Sequence, residues 1–531
     1  MLKGWNNTIA LGTLLACASV LRLSIAWMDF PSLITQIPDD AFYYFGIARN
    51  LVEGNGVTFD GTSVTNGFHP LWFALIVPFF AFSMGDAFLP IRLSLLLATG
   101  FDCFTGLLIG YLVKRITQDQ VAAWLAAFFY LFNPGIVKES INGLETTLTV
   151  CLIAISFLFY LPLGRSTPFT MTSRSSDWKT VGILLGLVIL ARTDNAILVV
   201  IMLMGLLISK RDWHALATVA RIGSVTFCVV APWFMWNWFQ FGSIFQSSGE
   251  AYPYALRAVF FGNRSYSFLE DLLVGFFVLY QWLVEYIPLY YFLWQRAWGA
   301  VYYFLLLGSI LLLILIRTPF TRIWYSWVRL TLAPIAGLLV IFLVHAFVRW
   351  YPRSWYFVPL VFFVAIVLGL TIAYVKASIA VRGQPLRYAI LIILLTLSAG
   401  FLQKYIQDWN RYPWQIEMWE AAAWITANLP PTEKVGAFNA GIIGYLAHNR
   451  VVNLDGVVNA QAYHAIRQTR LSEWMCSQGI HFLADFSHSL KFYSSFMRED
   501  ISFDSIKVWN LASETAANTH LNIYRISCRR E

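Results

Sequence analysis

The stretch Pro38-Asp39-Asp40-Ala41-Phe42-Tyr43-Tyr44 follows the first long apolar run of the chain and carries two adjacent carboxylates. Around it charge is scarce. Of 531 residues, 12% are Asp, Glu, Lys or Arg and 58% are hydrophobic, whereas ordinary globular chains carry about 25% charged residues. Many apolar runs approach the ~20 residues that a helix needs to cross a bilayer. The chain therefore reads as an α-helical polytopic membrane protein. The run from Thr8 to Met28 is too long for a signal-peptide core and has no small-residue cleavage site after it, so it reads as a retained helix. A carboxylate at the rim of such a bundle is costly unless it faces water, a partner or a reaction. Asp39 and Asp40 thus mark where to look for chemistry.

Working outward, the net charge of +8 is unevenly placed. Residues 404–531 hold 12 basic and 12 acidic residues, so the first 403 residues hold 25 basic against 17 acidic. That excess sits in short loops, where it sets orientation rather than a nucleic-acid surface. Basic loops at Lys3, Lys114-Arg115, Arg165/Arg174/Lys179, Lys210-Arg211, Arg317/Arg322 and Lys376/Arg382/Arg387 are assigned to the cytoplasm. The opposite face then receives the first loop 29–68, the Asn142–Glu145 region, the Arg192–Asp194 turn, the loop 233–270 and Arg349–Trp355. About 11 to 13 spans are expected, with 67–85 and 271–292 lying along the interface or re-entering. The N-terminus falls inside and the tail outside.

From about Lys404 the character changes. Trp414–Asn428 reads as an amphipathic helix stopped by Pro430-Pro431. Val435–Asn439, Val451–Asp455 and Ile480–Phe486 read as strands with helical segments between them, the pattern of a small α/β domain. The expected domains are 1–403 in the membrane and 404–531 as a small C-terminal extracytoplasmic α/β domain. Cys17, Cys103, Cys151 and Cys228 lie in apolar runs as packing residues. Cys476 and Cys528 can pair if the tail faces an oxidising compartment.

Charge topology gathers acids and bases from five loops on one face: Asp39 and Asp40, His69, Glu145, Arg192 with Asp194, and His345, Arg349, Arg353 and Tyr356. Carboxylates can take a proton from an attacking hydroxyl. Arginines can bind phosphate through a fork of donors. Each element also has a plainer reading. Asp39-Asp40 can cap the helix Ala41–Val52, Arg192 and Asp194 can pair with each other, and Arg349 and Arg353 can belong to an interfacial anchor belt.

Residues 38–56, Pro-Asp-Asp-Ala-Phe-Tyr-Tyr-Phe-Gly-Ile-Ala-Arg-Asn-Leu-Val-Glu-Gly-Asn-Gly, with Thr-Asn-Gly-Phe-His-Pro-Leu-Trp at 65–72, resemble the GT-C class of integral-membrane glycosyltransferases. That class includes protein O-mannosyltransferases, aminoarabinose transferases of lipid A and mycobacterial arabinofuranosyltransferases. Gly-Leu-Glu-Thr (143–146), Ala-Arg-Thr-Asp (191–194) and Phe-Gly-Ser-Ile-Phe (241–245) are similar to recurring elements of bacterial members. The tail motifs at 435–445 and 451–456 resemble the extracytoplasmic domain of such enzymes. The resemblance implies an inverting transfer of a sugar from a polyprenyl-phosphate donor to an acceptor hydroxyl of a glycan, lipid or protein, at the outer face of a bacterial-type cytoplasmic membrane. It implies Asp39 as base, with Asp40 orienting the acceptor, helping to bind a metal or capping the helix. Arg192 and Arg353, with His69, His345 and Tyr356, would bind the donor phosphate. Glu145 and Asp194 would line the acceptor side. Mg²⁺ or Mn²⁺ is a cofactor in some members and not in others. An aromatic-rich bundle (22 Trp, 25 Tyr, 43 Phe) suits a lipid-linked donor, and neither a dinucleotide fingerprint nor a P-loop occurs. The competing reading is a transporter or flippase of a lipid-linked or anionic solute, which would place charges deep inside spans and commonly repeat its halves.

Overall fold

The computed structural model describes residues 2–161 except 84, 178–210, 213–261, 269–270, 273, 321–347, 353–379, 411–498, 500–509 and 520–528. Within these, the membrane part consists of α1 (Leu2–Ala26), α2 (Phe30–Ile34), α3 (Asp39–Val52), α4 (Pro70–Phe82), α5 (Leu89–Thr117), α6 (Gln120–Leu131), α7 (Pro134–Ser140) and α8 (Thr146–Tyr160). It continues with α9 (Trp178–Ala191), α10 (Asn195–Lys210), α11 (Trp213–Phe241), α12 (Ser247–Leu256), α13 (Thr321–Phe347) and α14 (Val358–Ile379). Among the described residues, α5, α11 and the segment Ser354–Ala373 are long and apolar enough to span a membrane. The bent pair α6–α7, with 59° between its axes, passes the same test as one broken span. Shorter apolar helices, such as Thr146–Tyr160 and Trp178–Ala191, stand beside them.

The structure bears on several of the sequence expectations. The 67–85 region is a 13-residue helix, α4, with Pro78 inside it. Region 271–292, apart from Leu273, and Arg349 lie outside the described residues. The expected loop 233–270 is largely helical, because α11 runs on to Phe241 and α12 follows. One charged pair is buried inside the bundle: Arg22 of α1 meets Asp102 of α5 at 2.6 Å, both side chains shielded from solvent. Tyr130 of α6 donates to Asp102 Oδ1 (3.0 Å), and Arg22 also donates to the Ala18 and Leu131 carbonyls (3.0 and 2.8 Å). Three helices are thereby tied at one point, and the charges need no solvent.

In the tail, α15 (Gln415–Asn428) leads to β1 (Lys434–Ala437), α16 (Gly441–Leu446), β2 (Val451–Asn453), α17 (Ala460–Arg467), α18 (Leu471–Ser477), β3 (Ile480–Phe486), α19 (Ser487–Tyr493), β4 (Ile501–Val508) and β5 (Leu521–Cys528). The sheet runs β2-β1-β3-β5-β4. β1 lies parallel to β2 and β3, with Gly436 opposite Val452 and Leu483. β5 is antiparallel to β3 and β4. Cys476 and Cys528 form a disulfide that fastens α18 to the end of β5.

Bundle and tail share one hydrophobic core that passes through α3. Tyr445 of α16 packs edge-on against Phe42 and Phe45 (5.7 and 6.3 Å), and Arg49 lies over its ring at 4.6 Å. Arg49 Nη1 donates to the Tyr445 carbonyl at 2.7 Å. Burying each such aromatic contributes roughly 1.5–3 kcal/mol. This packing brings the start of α3 against the tail.

Candidate active site between the first loop and the tail

Helix α3 begins immediately after Pro38, with Asp39 and Asp40 in its first turn. Carboxylates there complement the helix dipole, but neither caps α3, whose N-cap Pro38 offers no side-chain bond. Asp39 caps α16 instead. Its Oδ2 accepts from Gly441 N (3.1 Å) and its Oδ1 from Ile442 N (2.6 Å). A side chain at Gly441 has no room, because a Cβ there would lie 2.2 Å from the Asp39 carbonyl. Tyr43, one helical turn on, fixes the same junction: its hydroxyl accepts from Ala440 N and Asn453 Nδ2, both at 3.2 Å. Gln415, in the amide orientation that satisfies its neighbours, accepts from Asp39 N at 2.9 Å.

Burial raises the Asp39 carboxyl to about 7, against the pull of the Ile442 and Gly441 amides and with help from Asp40 and Asp485. Asp40 is exposed. Its surroundings raise its pKa by desolvation, Arg353 pulls it back and Glu145 adds to the rise. Arg353 is exposed as well. A third carboxylate, absent from the sequence-based set, arrives from the tail. Asp455 sits in the turn after β2, and its Oδ1 accepts from Val457 N at 2.8 Å. Desolvation raises it to about 8, and the charges of Asp40 and Asp39 contribute. The turn is clamped by the membrane half: Ser247 Oγ donates to the Val457 carbonyl (2.8 Å), and Gly67 lies too close to that oxygen for any side chain.

The remaining predicted residues form one buried network. Glu145, at the N-cap of α8, accepts from the Tyr44 hydroxyl (2.9 Å) and Arg192 Nη1 (3.3 Å). Arg192 Nε reaches both oxygens of Asp194 at 3.0 and 3.1 Å, and its guanidinium lies 3.5 Å over the Tyr356 ring. His345 Nε2 stands 3.5 Å from Asp194 Oδ2, its ring edge-on to Tyr356. Burial pushes Arg192 down, but Asp194, Tyr356 and Glu145 outweigh it and keep the guanidinium charged. Burial likewise lifts Asp194, and Arg192 with His345 overrides that, holding it well below the usual carboxylate range. His69 is pushed below its ordinary value, first by burial. Its Nε2 stands 3.6 Å from Glu145 Oε1. Thr193 N donates to His69 Nδ1 (3.4 Å), and Gln246, also unforeseen, bridges the Thr193 hydroxyl (2.9 Å) to the Phe68 carbonyl.

The structure thus brings Arg353 and Glu145 each within electrostatic reach of Asp40 and joins Glu145, His69, Arg192, Asp194, His345 and Tyr356 directly. It separates the two arginines: Arg192 is committed to Asp194 and Glu145, while Arg353 is exposed. Among the described residues, no three His, Cys, Asp or Glu side chains converge to hold a metal ion. Both oxygens of Asp39 already accept from backbone amides, so no step below runs through Mg²⁺ or Mn²⁺.

Residues 405–524 match a family described as a domain of unknown function, DUF8728. No curated protein matches. Solved structures do. The chain is similar to the oligosaccharyltransferase AglB from Archaeoglobus fulgidus in complex with an inhibitory peptide and a dolichol-phosphate, with 14% identity, TM-score 0.56 and coverage of 93% of this chain and 71% of that one. Another structure of the Archaeoglobus fulgidus oligosaccharyltransferase, in complex with Zn and sulfate, aligns at 16% identity and TM-score 0.56 over 93% and 72%. ArnT from Cupriavidus metallidurans bound to undecaprenyl phosphate aligns over 98% of both chains, at 12% identity and TM-score 0.57. The chain has the fold of the GT-C class of integral-membrane glycosyltransferases.

Proposed function

We propose that this protein transfers a sugar, with inversion, from a polyprenyl-phosphate donor to an acceptor hydroxyl. The observation that carries the reading is that Asp40, beside Asp39 in the first turn of α3, lies within the electrostatic influence of Arg353 where α3 meets the tail. Asp39 takes the proton from the acceptor hydroxyl as its oxygen attacks the anomeric carbon. The carbon–oxygen bond to phosphate breaks, and its electron pair leaves with polyprenyl phosphate. A base raised to about 7 is matched to neutral pH, and amide donors hold its geometry. Arg353 receives the phosphate, since a fixed guanidinium stabilises the charge that develops on departure. Arg192, with two carboxylates already on it, acts by holding Glu145 and Asp194 in place. His69, His345 and Tyr356 pack around that network, and Asp40 orients the acceptor.

A dolichol-phosphate in one structural neighbour and undecaprenyl phosphate in another support a lipid-linked donor. The Cys476–Cys528 disulfide supports a tail and cleft that face an oxidising compartment outside the cytoplasm. The transporter reading would use Arg22–Asp102, and that pair is closed off by Tyr130 and backbone carbonyls. The test is to reconstitute the protein in vesicles with radiolabelled undecaprenyl-phosphate sugars and follow the label. Movement of label onto an acceptor with release of undecaprenyl phosphate supports transfer. Intact donor appearing in the other leaflet overturns it in favour of a flippase.

A further inference from the structure

The turn that carries Glu145 and the turn that carries Arg353 are distant in sequence, yet both are tied to one buried carboxylate. Glu139, near the end of α7, is 1% exposed. Its Oε2 accepts from Asn142 Nδ2 at 2.7 Å, and its Oε1 accepts from Ser354 Oγ at 2.6 Å. Arg411, in the segment that leads into the tail, donates to that same Oε1 and to Ser354 Oγ. Asn142 passes the constraint on: its Nδ2 also donates to Thr146 Oγ1 (3.0 Å) and its Oδ1 accepts from Leu144 N (2.9 Å), on either side of Glu145. Ser354 directly follows Arg353 and opens the 3₁₀ turn Ser354–Phe357 that holds Tyr356. Tyr412 N donates to the Thr35 carbonyl at 2.8 Å, and Arg411 lies 4.9 Å over the Tyr412 ring. Burial raises the Tyr412 hydroxyl, and the charges of Arg411, Glu139, Asp40 and Arg353 all act on it, so the Glu139 node neighbours Asp40 and Arg353.

We propose that Glu139, together with Arg411, is a positioning residue for the donor phosphate: it locks the Arg353 turn against the Glu145 turn and so presents the Arg353 guanidinium beside Asp40. The inference rests on the reading of a lipid-phosphate donor. Hydrogen bonds to ionised groups are the stronger ones, and a phosphate-binding guanidinium works only when its backbone is held to within a fraction of an ångström. Glu139 touches no reacting atom in this account. It acts through Ser354 on Arg353, and through Asn142 on Glu145.

The experiment measures the Kd of undecaprenyl phosphate for the purified full-length chain in lipid nanodiscs, by quenching of tryptophan fluorescence. Glu139→Gln is expected to raise Kd about tenfold. Ser354→Ala is expected to raise it several-fold with an unchanged unfolding temperature, and Ser354→Thr, which keeps the hydroxyl, to restore it. The deciding comparison is a double-mutant cycle. Because Ser354 acts through Arg353, Ser354→Ala should add nothing in an Arg353→Ala background. Wild-type Kd in both Glu139→Gln and Ser354→Ala overturns the inference, as does an equal effect of Ser354→Ala with and without Arg353. If Glu139→Gln fails to fold, the Ser354–Arg353 cycle decides alone. If the wild-type chain does not bind undecaprenyl phosphate, the donor reading fails and this inference falls with it.

Discussion

Ile442 donates its backbone N–H to Asp39 Oδ1 at 2.6 Å across 403 residues of sequence. The carboxylate proposed as base is therefore also the cap of a helix in the other half of the molecule. Gly441 makes the approach possible, and its replacement gives a direct test of the junction. Gly441→Ala puts a methyl 2.2 Å from the Asp39 carbonyl and 2.8 Å from Oδ1. The expected cost is about 1–3 kcal/mol from overpacking, with sugar transfer falling more than stability. Thermal unfolding and a transfer assay on the same preparation check this.

The pH dependence follows from Asp39 and Asp455. Both are raised from 3.8, to about 7 and about 8 respectively. Between these values the folded chain keeps protons that the unfolded chain has released. Their contribution to stability is fully present below the unfolded pKa and is lost as pH rises through the folded values. Activity should move the other way, rising as Asp39 ionises. Because neighbouring carboxylates titrate as a set and the Asp40 charge helps to raise Asp39, Asp40→Asn should shift the acid limb of the pH–rate profile to lower pH. An unshifted limb would uncouple Asp40 from the base.

The two arginines are expected to fail differently. Arg192→Ala leaves Glu145 and Asp194 buried beside an empty space, at a cost of about 3–5 kcal/mol, and should be read first as a lowered unfolding temperature. Arg353 is exposed. Its replacement by Ala should leave the unfolding temperature nearly unchanged and raise the donor KM by an order of magnitude or more, about what a charged hydrogen bond contributes.

The Cys476–Cys528 bond closes a separation of 52 residues. On chain-entropy grounds its loss costs about 4 kcal/mol. Cys476→Ser should unfold the tail at lower temperature, and a reducing agent should do the same to the wild-type chain but not to the variant. Near-ultraviolet circular dichroism follows both.

Much of this was legible in the sequence. The apolar runs gave the membrane class, and the strand-helix alternation gave β1 to β3 to within two residues. Arg192 and Asp194 were close enough in sequence to be read as a pair. What escaped depends on contacts across long separations. Asp39-Asp40 looked like caps for their own helix, and only docking of the tail shows that Asp39 caps α16. Glu145 gains its partner only when the end of α9 brings Arg192 to it. β4 is exposed on the sheet edge, and β5 becomes a strand by pairing with β3 and β4, so neither stood out. Asp455 reads in sequence as the end of a strand, and Glu139 lies in a short helix whose partners come from Ser354 and Arg411. No local pattern marks either residue.

The most direct test of the central claim is single-turnover release of undecaprenyl phosphate from a radiolabelled undecaprenyl-phosphate sugar, comparing the wild-type chain with Asp39→Asn. The account predicts that the wild-type chain forms a glycosylated acceptor and frees the lipid phosphate, while Asp39→Asn binds donor normally and turns it over at least about a hundredfold more slowly. Equal release from both chains would contradict Asp39 as the base. A wild-type chain that binds the donor and never consumes it would contradict transfer itself.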